Sequence, residues 1–257
     1  MLPKRGAVQR DHAERVLAAL QAGAWVGAGW RAKWDGGNFT FLGGLDVDDR
    51  RLDVSLKQLM PRPGPLGALR FCSPRRRSVR QWRGARRLHA IGVPAGRPIL
   101  LARGRVGAAP CDWLLLESIP GSDLLRHLQR DDLSVREQHA AARGAGRIVS
   151  RIDSFGWFNR DTKLSNLIRT PEGEIVLVDT VDIQRRPGKR ERMLRAMLYE
   201  AMGHDLLPRR SLQMRCLCEA VEEPKNAWRA LEREAARQRD HTPRGVFRRQ
   251  RLGNSAV

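Results

Sequence analysis

Apolar and polar residues alternate along "NFTFL" (38–42) and "LDVSLKQL" (52–59), the period-two pattern of half-buried strands. "GGLDVDDRR" between them reads as the turn of a hairpin. Ahead of the pair, "DHAERVLAALQ" (11–21) carries helical spacing. Residues 61–77, rich in proline, glycine and arginine, read as a loop. The stretch 78–91 sets Val79, Trp82, Leu88 and Ile91 near one face of a helix, and "PILLARG" and "DWLLLESIPG" read as two further strands. This part of the chain predicts a small antiparallel sheet with one helix.

The pattern then becomes helical. Helices are expected over 122–130 and 134–154, the second opened by a capping box of Ser134 and Glu137. Two short apolar strands, "NLIRT" and "EIVLVDT", flank the turn "PEGE". Helices follow at about 188–203, 210–222 and 224–238, and the basic end "HTPRGVFRRQRLGNSAV" is expected to be disordered. The expectation is an α+β chain of two lobes. Residues 1–117 form a strand-rich, basic, nucleotide-binding lobe, 118–240 a helical lobe with the catalytic loop, and 241–257 a tail.

A chain of 257 residues can bury a substantial core, and 41% hydrophobic with 30% charged residues is the composition of a folded, water-soluble protein. No run approaches a membrane span, and the first residues lack the apolar core of a signal peptide, so a cytoplasmic protein is expected. Cys72, Cys111, Cys216 and Cys218 have neither zinc nor redox spacing. The charge of +20 is uneven: no acid occurs from residue 54 to 111, where Lys57 and twelve arginines lie. Such a segment attracts phosphates, whether of a nucleic acid, a phospholipid or a phosphorylated sugar. Nucleic acid is the least favoured of these, because no aromatic for base stacking lies between Phe71 and Trp82.

The chemistry gathers in "FNRDTKLSN" (158–166) and "EIVLVDT" (174–180). Asp161 in a loop after a long helix, Lys163 two residues on, Asn166 five residues on, then Asp179 at a strand end: each has a bland reading, the first three as an Asx-turn with a solvated lysine. Together they supply what phosphoryl transfer needs, a carboxylate for the attacking hydroxyl, a cation for the phosphate and oxygen ligands for magnesium.

"NRDTKLSN" resembles the protein-kinase catalytic loop H-R-D-x-K-x-x-N, and "VDT" stands in the place of D-F-G. "VSLK" is similar to the strand ending in the nucleotide-binding lysine, and "LLLESIPG" to the hinge, with Leu116 as gatekeeper and Gly121 after it. Among kinase-like groups the chain most resembles the bacterial lipopolysaccharide kinases, the Kdo and heptose kinases of the inner core, over roughly residues 30–240. The resemblance implies a two-lobed kinase-like fold using ATP and magnesium, with Asp161 and Lys163 catalytic and Asn166 and Asp179 on the metal. It implies Lys57, Glu117, Ile119 and the glycines Gly36 and Gly37 at the nucleotide. The implied acceptor is an anionic sugar or lipid-linked molecule, with peripheral contact between the basic lobe and the inner membrane.

Three departures qualify it. Asn159 replaces the usual histidine, Val181 replaces the glycine of D-F-G, and Gln81 lies about where a glutamate pairs with the lysine. A neutral amide could hydrogen-bond Lys57 without supplying a countercharge. These changes motivate a second reading, a catalytically impaired pseudokinase acting as a binding module, and the charge alone motivates a third, a basic nucleic-acid-binding protein.

Overall fold

The computed structural model describes residues 14, 15, 18, 31–35, 38–47, 50–130, 132–203 and 210–241. The expected helix 11–21 falls mostly outside them, with Glu14, Arg15 and Ala18 helical, and the expected tail lies outside them but for His241, which ends a helix. The fold is α+β and divides into two compact units, residues 1–120 with 176–183, and residues 121–175 with 184–257.

The first unit is built on a five-stranded antiparallel sheet of order β1-β2-β3-β5-β4: β1 Arg31–Asp35, β2 Asn38–Val47, β3 Arg50–Leu59, β4 Pro98–Val106 and β5 Ala109–Glu117. The expected turn residues Gly43 to Val47 are instead strand, with Gly43 opposite Val54 and Leu45 opposite Leu52. The cause is apolar: Leu45 and Val47 join Val54, Leu56, Leu100 and Leu115 in one buried cluster, so the first strand runs five residues further than its glycines suggest, to Val47. The alternate face carries Leu59, Leu114 and Leu116, packed with Trp82 and Leu101.

Two helices interrupt the strands. Helix α1, Pro65–Cys72, occupies a stretch expected to be loop. Pro65 sits in its first turn, where the fixed φ suits a helix and the missing N–H is no loss. Helix α2, Arg77–Ala90, is where the periodicity puts it, but its buried face is Ser78, Gln81, Gly84, Ala85 and Leu88. Val79, Trp82 and Ile91 are only half-buried. Small and polar residues form that face because another backbone lies against it.

Asp112, the first acid after the acid-free stretch, is 1% exposed. It accepts from Arg76 Nε at 2.5 Å, from Arg103 Nε at 3.1 Å and from the Ser78 hydroxyl. This cluster ties the start of α2 to β4 and β5. Arg76 is therefore structural, so the basic triplet 75–77 is not one solvated face.

The second unit contains β6 Ser122–Asp123, α3 Leu124–Leu128, α4 Val135–Ser154, β7 Trp157–Asn159, β8 Leu167–Arg169, β9 beginning at Ile175, β10 running to Arg185, α5 Arg190–Gly203, α6 Arg210–Ala220 and α7 Pro224–His241. The Ser134–Glu137 capping box opens α4 as expected. Helices α4 and α6 approach closely: a Cβ on Gly146 would lie 2.2 Å from the Cys216 carbonyl oxygen. Arg143 and Arg147 reach Glu219 across that contact at 3.8 and 3.6 Å. Cys216 is core, its thiol pushed up to about 12 by burial first and by Glu219 second, whereas Cys218 is exposed. A thiol so placed is no nucleophile near neutral pH.

Candidate phosphotransfer site

Strand β7 delivers the chain into the loop 160–166 of the second unit, which closes as a short 3-10 turn, Leu164–Asn166. Asn159 is fully buried and acts as the loop's buttress. Its Oδ1 accepts the Asp161 N–H at 3.1 Å, and its carbonyl accepts the Thr162 hydroxyl at 2.9 Å. The amide thus does by hydrogen bonding the supporting work that a histidine does elsewhere.

Three predicted residues converge here. Asn166 Nδ2 donates to the Asp161 carbonyl at 2.9 Å and to Asp161 Oδ2 at 3.2 Å, while Lys163 Nζ lies 3.0 Å from Asp161 Oδ1. Both carboxylate oxygens are therefore engaged, one by an amide and one by an ammonium. The Lys163–Asp161 pair is substantially exposed, so it adds little stability and the lysine can exchange to another anion at small cost.

The first unit carries the other predicted residues. Lys57 is half-buried on β3, opposite Thr40 and Leu114. By strand alternation it shares a face with Ser55 and Leu59. Leu116 is 5% exposed at the end of β5. The Glu117 N–H donates to the Arg97 carbonyl at 2.8 Å and the Ser118 N–H to the Asp53 carbonyl at 2.9 Å, which fixes the strand where it becomes the hinge-like segment. Ile119 follows, half-buried. Gly36 and Gly37 lie outside the described residues, between strands paired at Asp35 and Asn38.

Residues 176–183, which include Asp179, pack with this first unit. Leu177 bonds to Pro94 and Gly96 (3.0 and 3.4 Å), and the segment after it lies along α2. Gln81 Nε2 donates to the Val178 carbonyl at 3.5 Å, the Thr180 hydroxyl donates to the Gln81 carbonyl at 2.8 Å, and Arg87 Nη1 donates to the Ile183 carbonyl at 3.3 Å. Arg80 donates to the Val181 carbonyl at 3.2 Å and pairs with the buried Asp182. A Cβ on Gly84 would sit 1.9 Å from the Thr180 carbonyl oxygen. Asp179 Oδ1 accepts the Val181 N–H at 3.1 Å, so the valine is accommodated in a short turn closed by the aspartate itself.

Arg80, Gly84, Thr180 and Asp182 are the residues that periodicity and motif spacing missed. Their only signal was the glycine and alanine of "RGAR" in an arginine-rich helix. Gln81 is 1% exposed, and its Oε1 is buried and accepts no hydrogen bond, so the amide does not hold Lys57 in this structure.

Among the described residues no three of His, Cys, Asp and Glu gather as a metal cluster. Magnesium at nucleotide phosphates needs only one or two protein oxygens, and an amide with a carboxylate are the right donors. The orientation that puts Asn166 Nδ2 on Asp161 makes Oδ1 its remaining acceptor. The donor types at Asn166 and Asp179 therefore fit the ion.

A two-unit α+β fold with this loop and this aspartate-bearing segment is that of a protein-kinase-like phosphotransferase. The family model described as "Lipopolysaccharide kinase (Kdo/WaaP) family" matches residues 67–209, more than half of the chain, and the chain belongs to that family. The match begins after Lys57 and takes in α2, the hinge-like strand, the loop and Asp179. No curated protein matches the chain.

Proposed function

We propose that the protein transfers the γ-phosphoryl group of ATP to a hydroxyl of the lipopolysaccharide inner core, with magnesium. The observation that carries this reading is Asp161, a carboxylate held in place by Asn166 at 3.2 Å and by the Asp161 N–H bond to Asn159. In the proposed reaction the acceptor oxygen attacks the γ-phosphorus, the bond to the β–γ bridging oxygen breaks, ADP leaves, and the acceptor's proton passes to Asp161. Lys163 would move from Asp161 to the transferring phosphate. Lys57 would bind the α- and β-phosphates, and the Glu117 carbonyl and Ile119 N–H would meet adenine. Asn166 and Asp179 would supply the protein oxygens for magnesium, whose part is to neutralise charge on the phosphates.

The test is transfer from radiolabelled ATP to purified inner-core acceptor. Asp161→Asn should retain nucleotide binding and lose transfer by about 10³-fold or more, the scale expected for removing a base together with its positioning. Asp179→Ala should abolish the magnesium-dependent part of nucleotide affinity. Full transfer by Asp161→Asn would refute the assignment. Nucleotide binding by the wild-type protein with no transfer to any core acceptor would favour the pseudokinase reading, which the unpartnered Gln81 oxygen keeps in view.

A further inference from the structure

Arg80, Gly84 and Arg87 follow one another at intervals of four and three, which places them on one stripe of α2. The stripe meets the backbone of residues 180–183. Gly84 has no Cβ to hold that backbone away, and the arginines on either side donate to its carbonyls, Arg80 Nε to Val181 at 3.2 Å and Arg87 Nη1 to Ile183 at 3.3 Å. Val181 is where these ties and Asp179 converge. Its N–H donates to Asp179 Oδ1 at 3.1 Å, while its carbonyl accepts from Arg80. The same guanidinium pairs with the buried Asp182, so two acceptors adjacent in the chain fix it. A planar fork of donors can serve both at once, whereas an ammonium is a point charge.

We infer that Arg80 is a positioning residue for Asp179. By holding the Val181 carbonyl it fixes the residue whose N–H orients the Asp179 carboxylate, and so sets how readily that carboxylate receives magnesium. The inference rests on the proposed reading of Asp179 as a metal ligand. A guanidinium has no acceptor to offer a metal, so Arg80 acts only through the carboxylate it positions. Asp182 keeps the guanidinium in place, and the bond that reaches Asp179 is the one to the Val181 carbonyl.

The test is binding of a non-hydrolysable ATP analogue to the full chain over a range of magnesium concentrations, with no acceptor present. Asp179→Ala should abolish the rise in affinity that magnesium brings. Asp182→Asn keeps Arg80 and its Val181 bond, and should leave the half-saturating magnesium concentration near the wild-type value. Arg80→Leu combined with Asp182→Asn removes the guanidinium without leaving a buried carboxylate unpaired. This pair should raise the half-saturating magnesium concentration about fivefold, the scale of one partly exposed hydrogen bond. Its affinity for the analogue without magnesium should match wild type, which also shows that the first unit is folded. Should the pair disturb folding, Arg80→Lys decides, because a lysine keeps the charge beside Asp182 and gives up the carbonyl; it should shift the magnesium response in the same direction. A bond that served stability alone would lower the urea midpoint and leave the magnesium response in place, and that result would overturn the inference. An equal shift in Asp182→Asn would overturn it too, since the ion pair rather than the carbonyl bond would be responsible. If Asp179→Ala keeps the wild-type response, the metal assignment fails and takes the inference with it. If Asp179→Ala loses the response and the Arg80 variants retain it, the inference alone falls.

Discussion

Replacing Gly84 with alanine should destabilise the first unit, against the ordinary preference of a helix interior. In an exposed helix the change gains up to about 1 kcal/mol. Here the added Cβ would stand 1.9 Å from the Thr180 carbonyl oxygen, 3.0 Å from its carbon and 3.2 Å from Ile183 Cγ1. The obstacle is backbone and cannot rotate aside. Ordinary contact begins at 3.4 Å, so the segment must withdraw by about 1.5 Å. A withdrawal of that size breaks the 2.8 Å bond from the Thr180 hydroxyl to the Gln81 carbonyl. Thr180 is 3% exposed, and an unpaired buried hydroxyl costs about 1–3 kcal/mol, to which overpacking adds a similar amount. The net expectation is a loss of about 2–4 kcal/mol, read as a lowered urea midpoint with an unchanged slope. Asp179 precedes Thr180, so magnesium-dependent nucleotide affinity should fall as well. Gly96→Ala is the control, because its Cβ would meet the Glu117 carbonyl oxygen at an ordinary 3.5 Å and should change stability by no more than about 0.5 kcal/mol. If Gly84→Ala unfolds at or above the wild-type midpoint, the contact between α2 and the Asp179 segment is not what sets the position of either.

Gln81→Met removes a buried oxygen that has no partner and one long bond, so stability should hold or rise by about 1 kcal/mol. If the amide meets Lys57 once nucleotide is bound, the same variant should show a weaker apparent nucleotide affinity, and unaltered steady-state kinetics would exclude that role. Asp112→Asn leaves Arg76 and Arg103 without a countercharge and should lower stability by about 2–3 kcal/mol in urea denaturation, discounted because Arg103 is partly exposed. A change near zero would mean the cluster merely accompanies the packing. Burial, followed by the Arg169 and Arg130 charges, holds His127 below the usual histidine range, with Glu137 and Asp132 opposing weakly. The unfolded chain takes up this proton near pH 6.5 and the folded one resists it, so this contribution is intact above that pH and is lost as pH falls below it. The slope should approach at most about 1.4 kcal/mol per pH unit. His127→Gln should remove that part of the pH dependence, and an identical stability profile between pH 7 and 5 in the two proteins would contradict it.

What could be read from sequence follows the range over which each residue acts. Strand alternation at 52–59 and the capping box at Ser134 are local patterns, and both appear where the residues put them. The loop from Asn159 to Asn166 is local too, its bonds spanning two to five residues, which is why its spacing was informative. Helix α1 was hidden by its proline and glycine, although proline in a first turn favours a helix. The face of α2 was misjudged because apolar periodicity looks for large residues, whereas a helix lying against backbone buries glycine, alanine and serine. Asp112 and Asp182 were hidden for another reason. Asp112 draws Arg76 from 36 residues away as well as Arg103 from nine, Asp182 draws Arg80 from 102 residues away, and no spacing rule reaches the distant partners.

The missing glutamate of the small lobe takes a different meaning in this light. In protein kinases a glutamate on the helix meets the nucleotide's lysine, so nucleotide and helix position are coupled. Helix α2 has no acid to offer, and the ionic tie runs in the opposite sense: Arg80 on the helix meets Asp182, three residues beyond Asp179. The carbonyls of Val178, Val181 and Ile183 and the Thr180 hydroxyl are all bonded to the same helix. Gly84 lets the two backbones approach closely enough for those bonds to form. None of these bonds requires a nucleotide. The segment bearing Asp179 is thus held to α2 by the protein's own groups before any ligand arrives, by Arg80 and Gly84 on the helix and by Thr180 and Asp182 on the segment.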